Sequence, residues 1–438
     1  MDIFISIFTN PAFLSIILLC ILCVKKVNIL LAIIISTLTA GFLAGLNISH
    51  IMDTFVSGMG GNSETALSYI LLGTFAATMA HSGFTNVISS KIAKYVAKNK
   101  YMLLGILMLI AMASQNIVPI HIAFIPIIIP PLLGIMNKLQ IDRRAVASVL
   151  TFGLKMPYIV IPAGFGLIFQ NLIADNMVQN GVNAVRGDIW KPTIFLGIGM
   201  FAALLISVFI SYRKPRIYNS EPIKENENTN SKFQPKHWLV ILAAIATFVV
   251  QLITKSLPLG ALVGLGIIFT CKVIPQNKMD HMMNEGIYLM GYIAFVMLVA
   301  AGFADVLKET GAIETLVNTV LPILPSNILL SSLIILIIGL FITIGIGTSF
   351  GTIPILAVLF IPVCIQQGFN THQIIILLAA AAALGDAGSP ASDTTLGPTS
   401  GLNADGQHNH IFDTCIPTFL HYNIALIISA LIGIWILG

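Results

Sequence analysis

Apolar runs of about twenty residues recur along the whole chain, and this recurrence limits the fold more than any other feature. A helix needs about 20 apolar residues to cross a bilayer's hydrocarbon core. Within that core every backbone polar group must be hydrogen-bonded internally, so spanning segments are helices or closed barrels. The runs are too continuous for barrel strands, which alternate over about ten residues. They fall at about 3–24, 28–47, 65–82, 101–115, 117–136, 145–172 (read as broken) and 192–212, then at about 238–255, 258–274, 286–304, 327–347, 350–367, 372–385 and 413–437. The expected fold class is therefore an all-α polytopic membrane protein with roughly 10–12 transmembrane spans. Composition agrees, with 57% hydrophobic and only 9% charged residues.

The net charge of +4 is carried by short Lys- and Arg-bearing loops that set topology, and it argues against a nucleic acid partner. The five cysteines lie in apolar segments without metal-ligand spacing and read as packing residues. No P-loop pattern is present, so ATP does not drive the protein directly and energy comes from a gradient. His408, His410 and Asp413 lack a fourth ligand at a known spacing, so no metal is expected. The N-terminal run lacks a basic n-region and a small-residue cleavage site, which favours a retained helix.

The runs divide into two halves. Residues 1–212 and 238–438 flank the one long hydrophilic segment, 213–237, whose six basic residues predict a cytoplasmic linker, flexible by composition. The halves share an order of features. GFLAGL (41–46) parallels GALVGLG (260–266), and the proline-punctuated 118–134 parallels 350–368. Each is followed by a helix interrupted at LKMP (154–157) or LGDAGSP (384–390). Lys91, Lys94, Lys98 and Lys100 mark 83–100 as cytoplasmic, whereas Asp305, Glu309 and Glu314 place 305–325 outside. Equivalent segments on opposite sides define two inverted-topology repeats with broken helices and re-entrant hairpins. That is a plan of secondary transporters, with sites at mid-membrane.

Ionisable residues at membrane depth cost about 2.5–3.5 kcal/mol on insertion scales, and they mark interiors or cavities. Gly385, Gly388 and Pro390 break the helix around Asp386. The freed carbonyls, with Asp386, Ser389, Ser392, Asp393, Thr394 and Thr395, form a set of hard oxygen ligands suited to an alkali cation. In the first half Ser114, Gln115, Asn116 and His121 offer groups for a substrate's carboxylate or amine. Lys155, deep in an apolar run, is placed to pair with Asp386 or Asp393, or to hold a substrate carboxylate. A span-end lysine reaching for the surface is the alternative. Residues 401–413 read as a polar loop.

GDAGSPASDTT at 385–395, preceded by GTSFGT at 347–352, resembles the paired signature of the NhaC-type sodium/proton antiporter family in the ion transporter superfamily, on its amino-acid-transporter-like branch. The resemblance implies that Asp386, Ser389, Asp393, Thr394 and Thr395 contribute to a cation or substrate site, approached by Thr348, Ser349 and Thr352. It implies a multi-pass protein of a bacterial inner (plasma) membrane. Ala387-Gly388 replaces a bulkier, more polar pair found in antiporters, which suggests a larger cavity.

Two functions follow. The first is cation-coupled (Na⁺ or H⁺) secondary transport of a small organic solute, with an amino acid the leading class. The alternative is Na⁺/H⁺ antiport. Neither is an enzyme, and neither needs a cofactor beyond the coupling ion. The partners expected are the lipid bilayer and a small-molecule substrate; a homo-oligomer is left open.

Overall fold

The computed structural model describes residues 6–85, 87, 99–116, 121–219, 233–254, 256–320 and 324–438, without the side chains of His121, Ala123, Ile127, Leu252 and Val320. Among the described residues all regular structure is helical. The first half contains α1 (Pro11–Val24), α2 (Ile29–Leu43), α3 (Ile48–Met59), α4 (Ser63–His81), α5 (Lys100–Asn116), α6 (Ile125–Lys138), α7 (Arg143–Val160), α8 (Phe165–Gln179) and α9 (Trp190–Ile206). The second contains α10 (Pro235–Thr254), α11 (Leu257–Thr270), α12 (Met279–Glu309), α13 (Ala312–Val320), α14 (Ile328–Ile346), α15 (Ser349–Gln366), α16 (Thr371–Ala383) and α17 (Asp393–Leu402). A final span of mixed α- and π-helical turns runs from His410 to Ile436.

Local chemistry sets many of the helix starts. Asn10, Asn28, Asn47, Asn327 and Asn370 cap α1, α2, α3, α14 and α16, each accepting from a first-turn N–H; Asp142 caps α7 likewise. Glycine then allows close helix crossing, the usual means of packing apolar helices in lipid. A Cβ on Gly286 of α12 would lie 2.4 Å from the Thr74 backbone nitrogen in α4, and one on Gly302 would lie 2.5 Å from the Phe55 carbonyl oxygen in α3.

Five helices are long and apolar enough to span alone, and α7 with α8, bent by 48°, makes a sixth. Five further apolar helices have 10–17 residues. One of them, the 13-residue α16, stops inside the protein. Every residue from Gln373 to Ser392 is buried, so α16 ends where irregular backbone is shielded from lipid.

Two expectations need correction. The first-half interruption does not fall at 154–157. The α7 helix runs through Lys155, Met156 and Pro157, and breaks at 161–164, where Gly164 takes φ +55°. Pro157 removes one hydrogen bond but is tolerated because neighbouring helices enclose it. The linker is also not loose throughout. Residues 213–219 fold back on the protein: Arg216 N–H donates to the Gln140 carbonyl at 3.1 Å, and Asn219 N–H to Gln407 Oε1 at 2.7 Å. Residues 220–232, and Lys91, Lys94 and Lys98, lie outside the described residues.

The packing is reciprocal. The helix after the first break, α8, packs on α15, and the helix after the second break, α17, packs on α6. Likewise α5 lies on α7, and α14 on α16. Each half thus supports the broken helix of the other.

Candidate ion and substrate site

The second break is built by sequence that cannot remain helical. Leu384 leaves α16 in extended conformation, and Gly385 and Gly388 then take φ +79° and +104°. A Cβ at Gly385 would lie 2.7 Å from both the Ile344 backbone nitrogen and the Leu340 carbonyl oxygen of α14. The chain turns back into helix at Ser392, whose hydroxyl accepts from the Thr394 N–H and caps α17.

Asn423 of the final span holds the exposed backbone. Its Oδ1 accepts from Gly385 N–H at 3.0 Å and its Nδ2 donates to the Ala387 carbonyl at 2.7 Å. Asn116 does the same at the first break, donating to the carbonyls of Ala163 at 2.8 Å and Ile161 at 3.3 Å. In each half, an asparagine from another helix replaces the hydrogen bonds that the break removes.

Asp386 projects from this turn into a fully buried set of donors. Its Oδ2 accepts from Lys155 Nζ at 2.6 Å, Ser349 Oγ at 2.6 Å and Tyr158 OH at 3.2 Å. Its Oδ1 accepts a short hydrogen bond from Ser392 Oγ. Lys155 is 0% exposed and its ammonium has three partners, Asp386, Tyr158 (3.1 Å) and Ser349 (3.4 Å). Four donors match the roughly four acceptor positions of a carboxylate, and three acceptors match the three protons of an ammonium. The pair is therefore fully satisfied in this conformation, and a cation reaching Asp386 must displace one of these donors. The lysine does not reach for the membrane surface. Ser349 opens α15, so the carboxylate also lies near a helix N-terminus, where negative charge is favoured.

Asp393 lies one turn of broken chain away. Tyr69 OH of α4 donates to its Oδ2 at 2.9 Å, and Ser392 Oγ lies 3.5 Å from its Oδ1. Ser392 therefore touches both carboxylates. Within this cluster two carboxylates face one ammonium, so the ionised site carries one net negative charge.

The hydroxyls expected to act as ligands are engaged by backbone. Thr394 Oγ1 donates to the Asp386 carbonyl at 3.2 Å, and Thr395 Oγ1 to the Ser389 carbonyl at 2.6 Å. The Ser389 hydroxyl accepts from Ala391 N–H at 3.2 Å. Of the GTSFGT residues, Ser349 reaches Asp386, while Thr352 donates back to the Thr348 carbonyl at 2.6 Å. Gly347, at φ +78°, ends α14 and passes within 3.6 Å of Ala391 as measured from the position of a Cβ.

Ser114, Gln115 and Asn116 do not join the Asp386 cluster. Ser114 bonds to its own helix at the Ala111 carbonyl. Asn116 supports the first break, and the His121 side chain lies outside the described residues. Gln115 is 1% exposed, and both polar atoms of its side chain have no hydrogen-bond partner among the described residues, as does Asn116 Oδ1. An unpaired buried amide costs about 1–3 kcal/mol, a penalty that a bound polar ligand can relieve. Tyr158, Tyr69 and Asn423 are site residues that sequence reasoning missed.

Residues 401–413 are more ordered than a free loop. Arg143, fully buried, makes a two-pronged contact with Asp405 at 2.6 and 2.5 Å and donates to the Leu402 carbonyl at 2.8 Å. Burial works to raise the Asp405 carboxyl, but the Arg143 guanidinium outweighs it and holds the group below the ordinary carboxylate value. His410 bonds to Thr399 Oγ1 at 2.8 Å and the Pro390 carbonyl at 2.9 Å, and His408 to Thr414 Oγ1 at 2.7 Å. Among the described residues no three His, Cys, Asp or Glu side chains converge on a metal position.

A broken-helix membrane fold with a buried ion pair at the second break is the architecture of a membrane transporter. A sequence profile of the Na⁺/H⁺ antiporter family matches residues 149–434, a second profile described as a Na⁺-H⁺ antiporter family matches residues 10–96, and the chain belongs to this family. It is 44% identical to an uncharacterized membrane protein of Vibrio parahaemolyticus over 98% of this chain and 100% of the relative. It is 42% identical to YuiF of Bacillus subtilis, provisionally named an amino acid transporter, over 98% and 100% of the two chains. A solved transporter structure, YdaH of Alcanivorax borkumensis, aligns with 89% of this chain and 88% of its own at 12% identity and a TM-score of 0.47.

Proposed function

We propose that this protein couples a Na⁺ or H⁺ gradient to movement of a small organic solute, an amino acid, across a bacterial inner membrane. The observation that carries this reading is the fully buried Lys155–Asp386 pair, held at a broken helix beside the second carboxylate Asp393. A zwitterionic amino acid presents the same two charges as that pair. Its carboxylate can take Lys155 while its ammonium takes Asp386, exchanging one satisfied ion pair for two. Asp393, with Tyr69, then neutralises the coupling cation, giving cation and solute a shared stabilised state and hence cooperative binding. The Gln115 amide, without a partner among the described residues, and the name given to YuiF both favour an organic solute over a bare ion.

Antiport of Na⁺ against H⁺ is the second reading, and the family profiles favour it. In that case the two cations compete for the same carboxylates and no solute enters. Proteoliposome flux separates the readings. Sodium- or proton-driven uptake of labelled amino acids supports the first. Sodium-dependent proton movement that is unaffected by any amino acid supports the second and removes the first.

A further inference from the structure

The outer face between α9 and the final span carries a groove of about 650 Å³, lined by Ile198, Ala202, Ile206, Leu420, Ile424 and Ile428 among others. Several of these residues are about half exposed among the described residues. Small residues keep the two helices close beneath it: a Cβ at Gly199 would lie 2.5 Å from the Ser429 side chain. One end of the groove is apolar, at Phe195 and Ile432. The other closes on His421, whose Nε2 lies 2.8 Å from Ser211 Oγ and whose ring packs on Tyr212 at 5.4 Å.

Immediately beyond that end the chain is basic. Arg213 and Lys214 are exposed, and Lys100 reaches them, its Nζ donating to the Arg213 carbonyl at 3.0 Å. The acids on the same face are already engaged: Asp142 binds Arg144 at 2.7 Å and Asp413 binds Arg216 at 2.7 Å. Among the described residues Lys100, Arg213 and Lys214 therefore form an uncompensated cationic patch at the mouth of an apolar trough. Stacked Tyr101 and Phe209, with centroids 4.9 Å apart, fit the interfacial depth where aromatic rings settle.

We propose that this groove is a binding site for an anionic phospholipid, with one acyl chain lying between α9 and the final span and the head group on Lys100, Arg213 and Lys214. The charge pattern selects this occupant over a second copy of the chain. Copies in one bilayer share orientation, so a two-fold contact through the groove would bring the three cations of each copy to the same depth and side. An acyl chain fills the trough without that repulsion. Basic pockets of this kind between helices on the cytoplasmic side suit anionic head groups, and the positive linker puts this end on that side.

The test is native mass spectrometry of the full chain titrated with phosphatidylglycerol or phosphatidylcholine of identical acyl chains. The wild-type protein should retain the anionic lipid about a hundredfold better, given roughly 1 kcal/mol for each of the three basic residues near such a head group. Lys100→Gln, Arg213→Gln and Lys214→Gln together should bring the ratio close to one, and Ala202→Trp, filling the trough from an exposed position, should reduce retention of both lipids. Unchanged thermal unfolding of these variants identifies the loss as binding. Equal retention of the two lipids by the wild type, or a preference that survives the triple substitution, overturns the proposal. So does a dimer that Ala202→Trp dissociates.

Discussion

Replacing Lys155 by Met tests the charged centre directly. The substitution keeps the length and apolar stem of the side chain but removes the ammonium, leaving Asp386 buried at 3% exposure. Breaking a buried pair by removing one partner costs about 3–5 kcal/mol. Asp386 keeps Ser349, Tyr158 and Ser392 as donors, so the expected loss lies near the lower limit, about 3 kcal/mol. At about 2.1 cal/mol/K per residue the 438-residue chain unfolds with an entropy of about 0.9 kcal/mol/K, so a drop of about 3 °C should appear in detergent-solubilised protein. Adding Asp386→Asn should recover much of that drop, because a neutral amide no longer needs a counter-charge, while solute uptake stays absent in both variants. The thermodynamic cycle of the two single variants and the double variant isolates their coupling. A Lys155→Met protein that melts within 1 °C of wild type, or transports at the wild-type rate, would refute the argument that this pair organises the site.

Gly385→Ala should lower expression and thermal stability, because it places a Cβ at φ +79° within 2.7 Å of α14 backbone; the same change at Gly266, which has open space, is the control. Tyr69→Phe removes the hydrogen bond to Asp393 and should weaken the apparent cation affinity by roughly tenfold or more, since bonds to charged groups contribute about 1.5–3 kcal/mol. Thermal unfolding should also be acid-sensitive through Arg143 and Asp405. The folded carboxyl has a depressed pKa, so its contribution is fully present above the unfolded value of about 3.9 and is lost as pH falls through the lower folded value. Arg143→Gln should flatten that part of the melting profile; an unchanged slope below pH 4 would discount the contact.

The class of fold was legible because hydrocarbon imposes one length scale on every span, and runs of that length survive inspection without any structure. Lys155 and Asp386 were legible for a related reason: charge inside an apolar run persists only where something compensates it. Their partners were not. Tyr158, Tyr69 and Asn423 are ordinary residues on apolar helices, and their importance lies in hydrogen bonds to positions 228, 324 and 36–38 residues distant in sequence. The first break was misplaced because Pro157 looked like the stronger interruption. A proline costs one backbone bond, which an enclosed helix absorbs, whereas Gly164 at φ +55° turns the chain against Gln115 and Asn116. What decides between them is packing from another helix.

Charge balance connects this site to energetics. Two carboxylates and one ammonium leave the empty ionised site with one negative charge, whereas a site holding one monovalent cation and a zwitterionic amino acid is neutral. Under the amino-acid reading, the empty carrier is then the form that moves charge when it reorients. One elementary charge crossing 100 mV is worth about 2.3 kcal/mol. An inside-negative potential of that size should therefore bias the empty carrier toward the outside-facing state by up to about fiftyfold. Uptake into proteoliposomes should rise with the imposed potential, while exchange of labelled for unlabelled solute, which involves only loaded carriers, should not respond. Exchange that depends on potential as steeply as net uptake would place the moving charge on the loaded carrier and would contradict the count of two acids against one base.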